Sequence, residues 1–170
     1  MNDRKQLMYL AAGFIFLAGL FVMARMARRD SGGGMPAAAL ERVGGGAPVK
    51  LDSCPASKCL TVIVAPWCGI CRSSTGLISA FAGYLKGRGV ETRVVVGQSG
   101  AAEVEAYAKE FGPDTLMDPG GRVPAPGGVP NFVVSDNTGK VLRRMPGVPD
   151  LYQPPFKEEV LREFAGMLGL

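Results

Sequence analysis

Four side chains in this sequence could do chemistry without help: Cys54, Cys59, Cys68 and Cys71. There is no histidine. That absence excludes hydrolase triads built on an imidazole base, the common zinc-hydrolase sites, and haem attachment through a Cys-x-x-Cys-His run. Redox or metal chemistry of the thiols remains. Cys68-Gly69-Ile70-Cys71 is a Cys-x-x-Cys motif. Taken alone it is weak, because zinc knuckles and structural disulfides use the same spacing.

Its setting sharpens it. Leu60 to Ala65 (LTVIVA) is a short, continuous, β-branched run of the kind that forms a strand buried on both faces, and it delivers Pro66-Trp67-Cys68 into a loop. A helix is expected from near Ile70, carrying Leu77, Ile78, Phe81 and Leu85 at helical spacing and stopping at Gly87 or Gly89. Cys68 then sits at a helix N-terminus, where free backbone N–H groups and the positive end of the dipole stabilise a thiolate, the form that attacks a disulfide. Cys71 lies one turn further along the same face and can resolve the mixed disulfide that Cys68 forms. Ile70 is expected to form an apolar wall between them.

The second pair, Cys54-Pro55-Ala56-Ser57-Lys58-Cys59, precedes the strand. A structural disulfide is the preferred reading, since Pro55 favours a turn and closing so small a loop contributes about 2 kcal/mol on the loop-entropy estimate. Two alternatives stay open: a relay passing electrons to Cys71, and a four-cysteine zinc site with Cys68 and Cys71. An even cysteine count favours an oxidising compartment.

The chain has 170 residues and is 47% hydrophobic, enough for one good core. Leu7 to Met23 is unbroken apolar sequence, about 25 Å long as a helix, and reads as a single-pass anchor. The alternative is a cleaved signal peptide ending near Val22-Met23-Ala24. Arg4 and Lys5 on one side and Arg25, Arg28 and Arg29 on the other leave the orientation undecided. The division expected is an anchor over 1–29, a Gly-rich flexible tether over 30–48, and one domain over 49–170. Net charge is +4, but the basic residues are scattered without interleaved aromatics, so no nucleic-acid partner is expected.

Downstream, Thr92 to Val96 reads as a strand and Ala101 to Phe111 as a helix with Val104, Tyr107, Ala108 and Phe111 on one face. Phe132 to Val134 and Val141 to Arg143 read as a hairpin around Asp136-Asn137-Thr138-Gly139. Pro155 opens a last helix with Phe156, Val160, Leu161, Phe164 and Leu168. The order is βαβα followed by ββα.

That order, with Cys-x-x-Cys at the first strand-to-helix junction, resembles the thioredoxin superfamily from Val49 to Leu170. Ala108-Lys109-Glu110-Phe111-Gly112, Leu116-Met117-Asp118-Pro119-Gly120-Gly121, Gly128-Val129-Pro130, Phe132-Val133-Val134 and Gly139-Lys140-Val141 resemble its TlpA and ResA branch, the membrane-anchored extracytoplasmic reductases. The resemblance implies a thioredoxin-like α/β fold, a mixed β-sheet flanked by helices, with an N-terminal transmembrane helix. It implies an inner-membrane protein with its domain on the periplasmic side, catalysing thiol:disulfide exchange without a cofactor or metal. Its catalytic pair would be Cys68 (nucleophile) and Cys71 (resolving), with Trp67, Gly69, Ile70, Val129 and a cis Pro130 facing substrate. A disulfide-containing protein would be the substrate, a membrane thiol system the electron donor, and cytochrome c maturation the family's setting; a monomer is expected. Two departures from the pattern stand out. Val62 stands where thioredoxin has a buried aspartate, and Val129 stands where the branch often has another residue before the proline, with Asn131 following where the branch has threonine. The Gly-Ile dipeptide lacks the histidine of strong oxidants, which favours a reductase. The alternatives are a disulfide isomerase or oxidase, and a tethered binding module whose cysteines are a static staple.

Overall fold

The computed structural model describes residues 33–149 and 154–170. Leu7 to Met23, read as the anchor, lies outside the described residues. Among the described residues no helix is long and apolar enough to cross a membrane.

Gly34–Leu170 form one unit around a seven-stranded mixed sheet. In chain order the elements are β1 (Ala39–Arg42), β2 (Val49–Lys50), β3 (Lys58–Val64), α1 (Gly69–Ser73), α2 (Thr75–Lys86), β4 (Glu91–Gly97), α3 (Ala101–Lys109), β5 (Leu116–Asp118), β6 (Asn131–Asp136), β7 (Val141–Pro146) and α4 (Glu158–Leu168). The strands lie in the order β2-β1-β5-β4-β3-β6-β7. The β3–β4 and β4–β5 pairs are parallel and the others antiparallel. The hairpin expected around Asp136 is the β6–β7 connection.

Strand β3 is central and buried from Cys59 to Val64, as its β-branched run requires. Its alternate side chains enter different cores, following the two-residue period of a strand. Leu60, Val62 and Val64 pack with Phe81 of α2, Tyr107 of α3 and Phe164 of α4. Ile63 packs with Val95, Val133, Met35, Leu40 and Leu51.

The second core corrects the tether. Met35, Ala38 and Leu40 are buried, and Ala39–Arg42 form β1, which pairs with β5. The helices cover one face of the sheet, and a β-branched strand buried on both faces needs a second cover. Residues 34–51 supply it. The folded unit therefore begins at Gly34 and not near Val49. Gly139 takes φ 77° in the β6–β7 turn, and a Cβ there would collide with the backbone of Asp52, which locks this covering segment against the turn.

Two further boundaries differ from expectation. The helix after the Cys-x-x-Cys breaks at Ser74, whose φ and ψ of −97° and 2° are not helical. The last helix starts at Glu158, after a cis Pro154–Pro155 peptide, and buries Leu161, Phe164, Ala165 and Leu168 but not Phe156 or Val160.

Candidate active site

Past the end of β3 the chain turns sharply, the Cys68 N–H donating to Ala65 O at 3.1 Å. Cys68 has extended backbone angles and caps α1, its Sγ accepting the N–H of Cys71 at 3.1 Å. Cys68 and Cys71 form a disulfide, with Cα atoms 5.2 Å apart. Cys71 is fully buried and Cys68 retains 6% exposure, so the first sulfur is the one a partner can reach. The N–H that meets Cys68 Sγ would stabilise negative charge on that sulfur once the disulfide is opened.

The opposite wall comes from the loop before β6. The Val129–Pro130 peptide is cis, and the carbonyl oxygen of Val129 lies 3.4 Å from Cys68 Sγ. Trp67 and Ile70 flank the pair, 63% and 56% exposed, the two most exposed large apolar residues of the described chain. The sequence places Ile70 between the sulfurs; the structure turns it outward. Cys68 and Cys71 share a helix face because they are three apart, and a residue two beyond Cys68 is rotated onto the far side. Gly69 is also exposed. Trp67 is fixed at its polar end, Nε1 donating to Gln98 O at 2.8 Å, and Gln98 adopts φ 60° to present that carbonyl.

Beneath the pair, Thr75 Oγ1 donates to Cys71 O at 3.3 Å and lies 3.1 Å from Tyr107 Oη. Burial pushes the Tyr107 phenol above its ordinary range, with the Thr75 hydrogen bond and the Arg72 charge acting in the opposite direction. Arg72 donates from Nε to Pro66 O at 3.0 Å, pairs with Glu110 at 2.9 Å, and stacks 4.4 Å from the Tyr107 ring centroid. It thereby clamps the entry loop and α1 to α3. Val62 is buried among apolar neighbours, so no carboxylate stands where thioredoxin has its aspartate.

Cys54 and Cys59 are also bonded, with Cα atoms 5.7 Å apart. Cys59 is fully buried in β3, paired with Glu91 and Ser135 on either side, and the Cys54 N–H donates to Asn137 O at 3.3 Å. Cys59 lies near the start of the strand whose far end leads to Cys68, and five residue steps of extended chain separate it from Val64, about 17 Å. Neither direct relay to Cys71 nor a shared four-cysteine metal site is possible across that length.

Sequence reading brought together Trp67, Cys68, Cys71, Val129 and Pro130, and the structure gathers them. It missed Arg72, Thr75 and Gln98, and it read Tyr107 only as part of an apolar helix face.

No protein-family model and no curated protein matches the chain. Solved structures do. A protein assigned as thiol:disulfide interchange protein DsbE from Chlorobium tepidum superposes with a TM-score of 0.60 at 25% identity, over 82% of this chain and 98% of that one. The chain has the thioredoxin-like fold, and its likeness is to the DsbE- and TlpA-like thiol:disulfide oxidoreductases. An exposed lipoprotein thioredoxin from Streptococcus pneumoniae (TM-score 0.54, 21% identity, 74% and 98% of the two chains) shares the fold. So does a secreted Mycobacterium tuberculosis disulfide oxidoreductase (0.52, 14%, 78% and 95%). A thioredoxin-like chain thus carries its Cys-x-x-Cys where this fold brings a strand end, a helix start and a cis-proline loop together.

Proposed function

We propose that this chain is a membrane-anchored, extracytoplasmic thiol:disulfide oxidoreductase that reduces disulfides of partner proteins. One observation carries the reading: Cys68 Sγ is the more accessible member of a closed Cys68–Cys71 disulfide, it meets the Cys71 N–H, and it faces the Val129 carbonyl of a cis-proline loop. In the reduced protein the Cys68 thiolate attacks one sulfur of a substrate disulfide, forming a mixed disulfide and releasing one substrate thiolate. Cys71, deprotonated, then attacks Cys68 Sγ, closing the Cys68–Cys71 disulfide and releasing the second substrate thiolate. Two electrons pass to the substrate, and a dithiol donor must return two to the protein. Trp67, Ile70 and the Val129–Pro130 backbone form the surface on which an extended substrate segment would lie.

Placement outside the cytoplasm is supported by the Leu7 to Met23 run and by the Cys54–Cys59 disulfide, a feature of oxidising compartments. The secreted and exposed neighbours are consistent with it. A membrane dithiol is then the natural donor, and the Gly69-Ile70 dipeptide favours reduction over oxidation. The assay is acceleration, by the reduced chain, of disulfide reduction in a protein substrate under a small dithiol, with Cys68→Ser abolishing the effect. A wild-type chain that accelerates nothing would leave a binding module. A reporter fused after Leu170 should be active only outside the cytoplasm; cytoplasmic activity alone would refute the topology.

A further inference from the structure

Asn131 follows the cis peptide and is fully buried at the start of β6, opposite Ile63 of β3 and Pro146 of β7. It shares a strand face with Val133, which packs among Met35, Leu40, Ile63 and Val95, so the amide is set against a largely apolar core. Its Nδ2 donates twice, to Pro126 O at 2.8 Å and to Gly128 O at 3.2 Å. Its Oδ1 has no hydrogen-bond partner. Burying an amide with an unmatched acceptor works against folding, so core packing does not account for this residue. Both donated bonds go to one short segment. Gly127 and Gly128 in that segment have φ of 87° and 98°, backbone without intrinsic preference for the conformation it holds. The next residue is Val129, whose carbonyl stands 3.4 Å from Cys68 Sγ.

We propose that Asn131 is a positioning residue for substrate: its two N–H groups hold the Pro126–Gly128 segment so that the Val129 backbone is presented, in register with Cys68, to an extended peptide carrying the target disulfide. The inference rests on the oxidoreductase reading above and adds a residue to it. A small disulfide without a peptide does not use the Val129 backbone and does not need the loop held. Selectivity between protein and small disulfides is therefore set partly by a side chain that touches neither substrate nor sulfur.

The test compares two substrates on the full reduced chain: a disulfide-bonded protein and hydroxyethyl disulfide. Asn131→Ala removes both donors and should raise KM for the protein disulfide about tenfold while leaving kcat, and the rate on the small disulfide, within about twofold. Asn131→Thr keeps one hydroxyl donor and should recover part of the loss; it carries the comparison if the alanine variant does not fold. Equal losses on both substrates, or none on either, would overturn the positioning role. A wild-type chain inactive on both would instead remove the oxidoreductase reading, and this inference with it.

Discussion

The two disulfides stand at opposite ends of one strand and do different things. Cys59 lies inside β3, hydrogen-bonded into the sheet on both sides and fully buried, and its partner Cys54 ties the covering segment to the β6–β7 turn. Cys68 lies just past the other end, where the backbone has left the sheet and the first N–H groups of α1 are free to meet sulfur. Bond type is the same in both. What separates a staple from a reactive pair is whether a partner's sulfur can approach in line and whether the released charge is met by donors. Spacing alone reports neither.

The comparison breaks most sharply on turnover. Cys71→Ser removes the resolving thiol, so Cys68 should remain covalently joined to whatever it attacks, and multiple turnover should fall by at least about a thousandfold. Cys68→Ser should lose turnover equally but capture little, because Cys71 is fully buried. Isolating adducts from the native host by non-reducing electrophoresis and mass spectrometry would also identify the partner. Adducts on Cys68→Ser equal to those on Cys71→Ser would reverse or dissolve the role assignment.

The staple should show the converse pattern. Replacing both Cys54 and Cys59 by serine opens a small loop and should cost about 2 kcal/mol of stability, while turnover stays within about twofold. In the wild-type chain, mild reductant should open Cys68–Cys71 first, leaving two thiols masked from alkylation. Four thiols opening together, or a turnover loss in the double variant, would show that the pairs are not independent.

How far the sequence foretold this arrangement depends on the range of the contacts involved. Cys68 and Cys71 are three residues apart at the end of a β-branched run, so local periodicity placed them at a helix start. Pro130 came through family resemblance, since nothing local distinguishes a cis peptide. The covering segment was hidden by its glycines, yet LTVIVA carried the clue: five apolar residues around one threonine, buried along one strand, demand apolar cover on two faces, and the helices account for one. Strand β5 is only three residues long, too short for a period to show. Arg72 and Tyr107, or Asn131 and the Gly128 carbonyl, meet through folding geometry that no pattern in their own segments records.

A smaller effect tests the staple end alone. Asp136, in the β6–β7 turn beside Asn137, accepts at Oδ1 from Thr138 Oγ1 at 2.7 Å, Thr138 N at 2.9 Å and Lys140 N at 3.0 Å. The Thr138 hydroxyl, with help from the two backbone N–H groups and the Lys140 charge, holds its carboxyl below the usual aspartate range. A depressed folded-state value means that the stabilisation is fully present above the ordinary aspartate pKa, about 3.9, and is lost as pH falls through the folded value. Asn137 O is the acceptor for Cys54 N–H, so loosening this turn loosens the anchor of the Cys54 segment. Acidification from about pH 5 into that window should therefore lower the amide protection factor, which corrects exchange for its intrinsic pH dependence, at Cys54 and Lys140 before it affects Cys71, and Asp136→Ala should show the lower protection already at pH 5 and little further change. At the Cys68 end the carboxylate is Glu110, in a half-exposed pair with Arg72, so the protection factor there should change less across the same range. Parallel pH responses at the two ends would mean that the strand transmits the change, and that the two disulfides are less separate than their positions indicate.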